Sequence, residues 1–479
     1  MTDSVQAGSV MKMVAAHEKI YVRETTGWYT NWRWTLVWMT QLVFFGLPWL
    51  NWNDRQLVLF DLAARKFYIF GIVLWPQELI FLAALLIISA FTFFLSSAIV
   101  GRIWCGFACP HTVYTEIFMW IERKIEGGRS ARMLLDKEPG SARKFRKKAL
   151  KHSAWALFAF WTGFTFVGYF TPTDVLLHEL IAAALGPWEI FWISFYGLLT
   201  YLNAGWMREQ ICRYICPYSR FQSVMVDRDT LVITFDPVRS EPSDLMNQKS
   251  IARKSVVQNP QQGDCIECTL CIQVCPTGSD IRQGLQYDCM GCAACIDACN
   301  LVMDKIGSAR GLIRYATENA INQRLSAQQI RQRILRPRVL LYAGVLGAMM
   351  AALAAALSMH VPMKLDVSRD RGALLREGEE GLVENVYRLH IVNTAERAHR
   401  YKIAVSGIDT ITLATPGEVR LEATASRTVP VRIHVAHGKG RVGSNEIVFE
   451  LQDQDDANLR VTKKAVFLVP RTSTIAETQ

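Results

Sequence analysis

Long uncharged runs alternate with basic or Cys-rich segments through the first three-quarters of this 479-residue chain. Trp34–Leu50, Leu79–Val100, Ala154–Phe170, Ile190–Trp206 and Val339–Met359 lack Asp, Glu, Lys and Arg, and each is 17 to 22 residues long. At about 1.5 Å rise per residue, such helices can cross a hydrocarbon core of roughly 30 Å, the shorter ones with help from their flanks. Trp and Tyr rim these runs, as at membrane interfaces. The pattern predicts five transmembrane helices. A shorter apolar run, Phe67–Pro76, cannot span and reads as an interfacial or re-entrant piece. Beyond Val361 the period changes. Tyr387–Ile391, Val429–Val435, Ile447–Leu451 and Ala465–Val469 alternate, with turn signals at Gly407, Pro416-Gly417, Gly438–Gly440 and Gly443. Short strands at this spacing predict a β-sandwich of immunoglobulin type, without the Cys pair of antibody domains.

Charge orients the helices. The Glu122–Ser153 loop carries 11 Lys or Arg against 4 acids, whereas Thr171–Glu189 carries none and holds Asp174, Glu179 and Glu189. By the positive-inside rule the first loop is cytoplasmic and the second outside. The N-terminus and Met207–Arg338 are then cytoplasmic, and the fifth helix exports the C-terminal domain. Met1–Arg33 has no early apolar core and reads as a cytoplasmic segment, not a cleaved signal peptide. The formal charge of +10 needs no nucleic acid, since it follows from the inside loops and contact with anionic membrane lipid.

The chemistry lies in the cysteines. Eight of the 12 fall between Cys265 and Cys299. Cys265, Cys268, Cys271 and Cys275-Pro276 form one C-x2-C-x2-C-x3-C run, and Cys289, Cys292, Cys295 and Cys299 form another. This is the spacing that wraps a [4Fe–4S] cube in bacterial ferredoxins, where the fourth Cys of each run serves the other cluster. One cluster is therefore assigned to Cys265, Cys268, Cys271 and Cys299, the other to Cys289, Cys292, Cys295 and Cys275. Paired zinc sites favour separated C-x2-C knuckles. The second run ends in Cys299-Asn300, without the usual proline.

The other four cysteines form two C-x3-C-P motifs, Cys105/Cys109-Pro110 and Cys212/Cys216-Pro217, at the ends of the second and fourth apolar segments. The surrounding residues match, which suggests an internal repeat. On one helix, i and i+4 share a face, so each pair would present two sulfurs together. Pro110 and Pro217 are expected to stop or bend the helix. Paired thiols suit a soft ion such as Cu(I), or cycling between dithiol and disulfide; buried free Cys is the commoner structural role. His111, the Met359–His360–Met363 group and the outer Asp174, His178 and Glu179 are weaker metal candidates. No Walker loop, dinucleotide fingerprint, flavin motif or nucleophile elbow is present.

The run Gly284–Cys299, followed by Met303–Gly307 and Arg310–Tyr315, resembles the FixG/CcoG family of cytochrome c oxidase accessory proteins. The likeness covers nearly the whole chain: spans, both C-x3-C-P motifs, ferredoxin insert and immunoglobulin-like tail. It implies reduction of Cu(II) to Cu(I) for assembly of cbb3-type cytochrome c oxidase, with copper as substrate, copper chaperones or oxidase assembly factors as partners, and an unidentified cytoplasmic electron donor feeding the clusters. The competing functions are a membrane ferredoxin feeding another respiratory reductase, or a copper chaperone or scaffold with structural clusters. The expected architecture is a multi-domain protein of the inner membrane, with two [4Fe–4S] clusters as cofactors. It comprises a cytoplasmic segment (1–33), a four-helix transmembrane region (34–235), a ferredoxin-like domain (260–315), a fifth transmembrane helix (339–359) and a periplasmic all-β immunoglobulin-like domain (361–471). The boundaries fall near Asp236–Asn259 and His360–Pro362.

Overall fold

The computed structural model describes residues 19–53, 55–75, 78–240, 263–286, 288–323, 327–359, 361–369, 376–377, 382–436, 439–455 and 459–469. His360 and most of the Asp236–Asn259 boundary lie outside the described residues. The chain divides into two compact units, Met1–Asn51 with Ala83–Met350, and Trp52–Leu82 with Ala351–Gln479.

The first unit is helical around the cysteines. Helices occur at all five predicted segments: Trp28–Gly46, Leu79–Ile99, Ala142–Val167, Pro187–Thr200 continuing through the π-helical Tyr201–Met207, and Pro337–Ser358. Among the described residues two of them, Leu79–Ile99 and Pro337–Ser358, are long and apolar enough to cross a membrane, against the five expected. The others carry polar features. Trp28–Gly46 buries Arg33 and Gln41 while exposing Trp38 and Leu42, and Ala142–Val167 begins with a basic turn. Ala142–Val167 packs closely on Pro187–Thr200. A Cβ on Gly163 would meet the Ile193 carbonyl at 2.4 Å, so the crossing depends on that glycine.

The basic loop folds into helices whose charges pair internally. Glu122, fully buried at the end of Pro110–Glu126, meets Arg132 at 3.4 Å and Arg208 at 2.8 Å. Glu126 holds Lys148 and Lys151 at 2.9 and 3.1 Å, and Asp136 holds Lys148 and Lys19 at 2.6 and 2.7 Å. Several cations expected to face lipid therefore neutralise buried acids, as buried charge must be paired. The ferredoxin insert leaves and returns through one antiparallel ribbon, Val232–Phe235 with Ile313–Ala316, registered Val232↔Ala316 and Phe235↔Ile313.

The second unit is all β apart from helix ends. One sheet orders Thr412–Leu413, Ser426–Ala436, Leu382–Asn393 and Met363–Arg369, with Arg376–Glu377 beside Leu382–Asn393. The other orders Glu418–Leu421, His399–Ser406, Gly443–Asp453 and Arg460–Val469. Leu389, Ile391, Val431, Ile433, Ile447, Phe449, Leu451 and Phe467 are buried in the core, which is the alternation the sequence displays. The run Phe67–Pro76, expected to be an interfacial or re-entrant piece, is over residues 67–74 part of a three-stranded antiparallel sheet of Val58–Asp61, Lys66–Ile69 and Ile72–Leu74. Ile69 pairs with Ile72 across Phe70-Gly71, and Phe70 takes positive φ (54°), so a two-residue hairpin turn accounts for the short apolar run. Residues 52–82, read from sequence as part of the helical region, thus group with the C-terminal sandwich.

Candidate metal centres

The two C-x2-C-x2-C loops repeat in backbone conformation as well as sequence. Glu267 and Gly291, just before the second Cys of each run, have φ of 51° and 71°; Thr269 and Ala293, just after it, have 55° and 59°. Alternating left-handed turns curl each loop before a helix, Leu270–Gln273 in one and Ala294–Ile306 in the other. The difference after the fourth Cys follows from one residue. Cys275-Pro276 follows the end of a one-turn helix. Asn300, in place of proline, lets the second helix run to Ile306, and its side-chain oxygen accepts from the Gly311 N–H at 3.0 Å.

The eight sulfurs gather in two groups. Cys265, Cys268, Cys271 and Cys299 line one cavity with Ile266, Leu270 and Met303. Burial pushes the Cys299 thiol up to about 11, with the charges of Cys271, Cys265 and Cys268 adding to it. In the other group, burial raises Cys289, Cys292 and Cys295, and the charge of Cys275 bears on all three. Cys271 also bears on Cys295, so the groups are neighbours. Cys268 is exposed and Cys292 buried, which gives the pair a shallow end and a deep end.

A single tetrahedral zinc with Zn–S of about 2.3 Å holds its sulfurs about 3.8 Å apart. Among the described residues no three sulfurs lie within 4.8 Å of one another; the group that does is His399, Asp453 and Asp455. All-thiol donors spread wider than one ion needs, with Cys271, Cys289, Cys292, Cys295 and Cys299 set against apolar residues, fit an iron–sulfur cube.

The C-x3-C-P pairs come together, but not as the sequence suggests. Cys105 lies in the short helix Ile103–Phe107, whereas Cys109 is the extended N-cap residue of Pro110–Glu126. Cys212 lies in the π-helical turn Ile211–Ile215, and Cys216 is the extended N-cap residue of Pro217–Met225. Each pair straddles a break, so the shared-helix-face argument fails. Pro110 and Pro217 start helices at N1, where the missing N–H has no cost. Burial pushes Cys105 up to about 12, and Cys109, Cys212 and Cys216 raise it further, with Arg102 opposing. Cys212 rises to about 11 for the same reasons. Cys105 and Cys212 are therefore protonated at neutral pH, and a cation that binds them must displace protons.

This four-sulfur site abuts the deep ferredoxin group. Cys105 and Cys295 pack on the apolar cluster that contains Cys292. A Cβ on Gly106 would lie 2.6 Å from the Gly291 carbonyl oxygen and 2.8 Å from the Cys292 Cα, so the loops touch backbone to backbone. Arg102 ties them together, donating to the carbonyls of Cys289 (3.4 Å) and Ser219 (3.1 Å). Arg213 does the same for the second motif, reaching the Thr277 carbonyl and Asp288 at 3.0 Å each. Gln222, buried, approaches the Cys105 sulfur at 3.6 Å. Arg33 and Glu116 form a buried ion pair at 2.6 Å, and Arg33 bears on Cys292. Asp297 supplies the missing cap of Trp28–Gly46, accepting from the Thr30 N–H at 2.8 Å. None of these residues was singled out from sequence; the glycines inside the Cys motifs were the one available signal. His111 bonds the Arg208 carbonyl at 2.8 Å. Asp174, His178 and Glu179 lie on Thr173–Ile181, away from any cysteine motif in sequence.

Family models match three stretches of the chain, and two of them take in the C-x3-C-P motifs. Residues 207–318 match the 4Fe-4S dicluster domain, 82–127 a 4Fe-4S binding domain, and 353–470 the IG-like fold at the C-terminal of FixG. The chain is 35% identical over 478 residues to the nitrogen fixation protein FixG of Rhizobium meliloti, covering 92% of this chain and 90% of that one. Protein RdxB of Cereibacter sphaeroides is 35% identical over 438 residues, covering 89% and 91%. A crystal structure of a FixG-related protein from Vibrio parahaemolyticus matches 22% of this chain and 95% of its own at 22% identity, with a TM-score of 0.21.

Proposed function

This chain belongs to the FixG family, and we propose that it is a membrane-bound iron–sulfur protein that reduces Cu(II) to Cu(I) for assembly of a cbb3-type cytochrome c oxidase. The observation that carries the reading is the unbroken line of sulfur sites. It runs from exposed Cys268, through the Cys271–Cys295 neighbours, to buried Cys292 and then across Gly106–Gly291 to Cys105. Cys265, Cys268, Cys271 and Cys299 would hold one [4Fe–4S] cluster, and Cys275, Cys289, Cys292 and Cys295 the other. Such clusters, when bound, store and pass single electrons. Copper would be held by a pair of thiolates among Cys105, Cys109, Cys212 and Cys216, because no three of these sulfurs lie within 4.8 Å of one another. Soft thiolates stabilise Cu(I) over Cu(II), so binding there makes the gain of one electron more favourable. Arg102 beside Cys289 supplies positive charge where negative charge is carried, whereas Arg33 beside Cys292 shares its charge with Glu116.

The protein sits in the inner membrane with five spans, N-terminus and cysteines inside, sandwich outside. The grouping supports this: residues 52–78 and 360–479, which that topology puts outside, fall in one compact unit. Trp38, Leu86, Leu157, Trp188 and Leu341 stand exposed on the five helices, far more apolar surface than a soluble protein leaves bare.

The test uses Cys105→Ser and Cys216→Ser with a Cu(I)-specific chelator. Both variants should lose Cu(I) production while iron content and cluster absorbance persist. Iron lost in step with activity would assign these sulfurs to iron–sulfur binding instead, the reading that the 4Fe-4S match over 82–127 favours.

A further inference from the structure

A cavity of about 400 Å³ in the first unit has Arg208 and Glu209, four and three residues before Cys212, in its wall. Lys151, His152, Trp155, Trp206, Arg208 and Glu209 line it. Its wall is distorted. Gly205 and Trp206 belong to a π-helical stretch, and Arg208 closes that stretch with positive φ (35°). Single π turns are common at functional sites because they re-aim side chains.

The cavity is lined with aromatic rings and cations, yet it is no anion site. Lys148 and Lys151 are held by Glu126, Lys19 by Asp136 and Arg208 by Glu122. A free anion would gain little from cations already neutralised, and a cation such as Cu(II) would meet a wall of them. A neutral planar molecule with polar ends suits the site better. The Lys151 ammonium lies 4.6 Å and the Arg208 guanidinium 5.5 Å from the Trp155 ring centroid, and the His152 ring lies 6.0 Å from Trp206 at 20°. Proton-accepting groups are present. His152 Nδ1 meets the Tyr201 hydroxyl at 2.8 Å, and burial, then Lys151, lowers the His152 pKa and keeps it neutral. The lining residues flank the ends of Ala154–Phe170 and Ile190–Trp206, the runs read as bilayer-spanning, so a lipid-soluble molecule has access.

The site is also wired to the sulfurs. The Arg208 carbonyl bonds His111, two residues past Cys109. A second cavity shares Arg208 and Glu209 and reaches Pro276 and Met290, the neighbours of Cys275 and Cys289.

We propose that this cavity binds a membrane quinol, the electron donor for copper reduction. The inference rests on the cupric-reductase reading for the fate of the electrons. One quinol breaks its two O–H bonds and becomes quinone. Its two electrons reduce two Cu(II) ions to Cu(I), and its two protons leave by His152 and Glu209 to solvent.

The test uses the full-length protein in detergent with a short-chain ubiquinone. Tryptophan fluorescence should be quenched saturably, with affinity at least about ten-fold weaker in Trp206→Leu and His152→Leu. Cluster absorbance must match wild type in both variants. A photoreactive azidoquinone should label residues 148–155 or 205–209. Absence of saturable quenching, or labelling confined elsewhere, overturns the inference, and the labelling result does not depend on variants that fold. Cu(I) formed from dithionite-reduced protein but not from quinol would overturn it too. Binding and labelling as expected, with no Cu(I) from either reductant, would uphold the cavity and sink the copper reading.

Discussion

Gly106→Ala perturbs the one place where the copper site and the deep ferredoxin loop meet. The added methyl would lie 2.6 Å from the Gly291 oxygen, 2.7 Å from its carbonyl carbon and 2.8 Å from the Cys292 Cα. All three are backbone atoms, so no rotamer change relieves them. The loops must part by about 0.8 Å to restore ordinary contact, and overpacking of this kind costs about 1–3 kcal/mol. In an open helix the same change would stabilise by about 0.5–1 kcal/mol, so the sign itself is diagnostic. Parting the loops lengthens the gap that the electron crosses, so transfer slows. The assay is Cu(I) formation by stopped flow after reduction with dithionite, alongside iron content and thermal melting. Gly140→Ala serves as control, since a Cβ there meets nothing within 4 Å. Gly106→Ala should melt lower and form Cu(I) more slowly while retaining its iron. Wild-type melting and rate in Gly106→Ala would refute the idea that this contact couples the sites.

Cys275→Ser should damage the cluster whose other ligands are Cys289, Cys292 and Cys295, leaving the one at Cys265, Cys268, Cys271 and Cys299; spectroscopy showing the opposite loss would overturn the crossed assignment. Burial works to raise Asp136, but hydrogen bonds from Lys148, Lys19 and Tyr21 outweigh it and hold its pKa below the usual carboxylate range. Its contribution to stability is thus complete above the unfolded value of about 3.9 and is lost as pH falls through the lower folded value. Asp136→Asn should flatten that acid limb of melting temperature against pH, and an unchanged limb would contradict it. Alkaline phosphatase fused after Gln479 should be active and within Gly127–Lys151 inactive, and the reverse would overturn the five-span topology.

What the sequence reveals divides by the range of the interaction. The sandwich is legible because each core strand alternates, as in Ile447, Phe449 and Leu451, and alternation is local. The Cys runs are legible because cluster loops impose fixed spacing. Phe67–Pro76 misleads because a short apolar run has no period to separate strand from helix, and the deciding signal is the Phe70-Gly71 turn. The C-x3-C-P spacing suggests one helix face, but proline starts a new helix in each motif, so the two sulfurs of a pair straddle a break. The Gly106–Gly291 contact, the Asp297 cap and the Arg33–Glu116 pair join residues far apart in the chain, and no local pattern encodes them.

Electrons should pass one at a time from the sulfur sites to copper. Fully reduced, anaerobic protein mixed with Cu(II) in a stopped-flow spectrometer tests this, with cluster absorbance and a Cu(I)-specific chelator read on the same shot. Cluster absorbance should return as Cu(I) appears, one ion per electron, and Cys105→Ser should abolish the Cu(I) signal. Clusters that stay reduced, with no Cu(I) formed, would rule the transfer out.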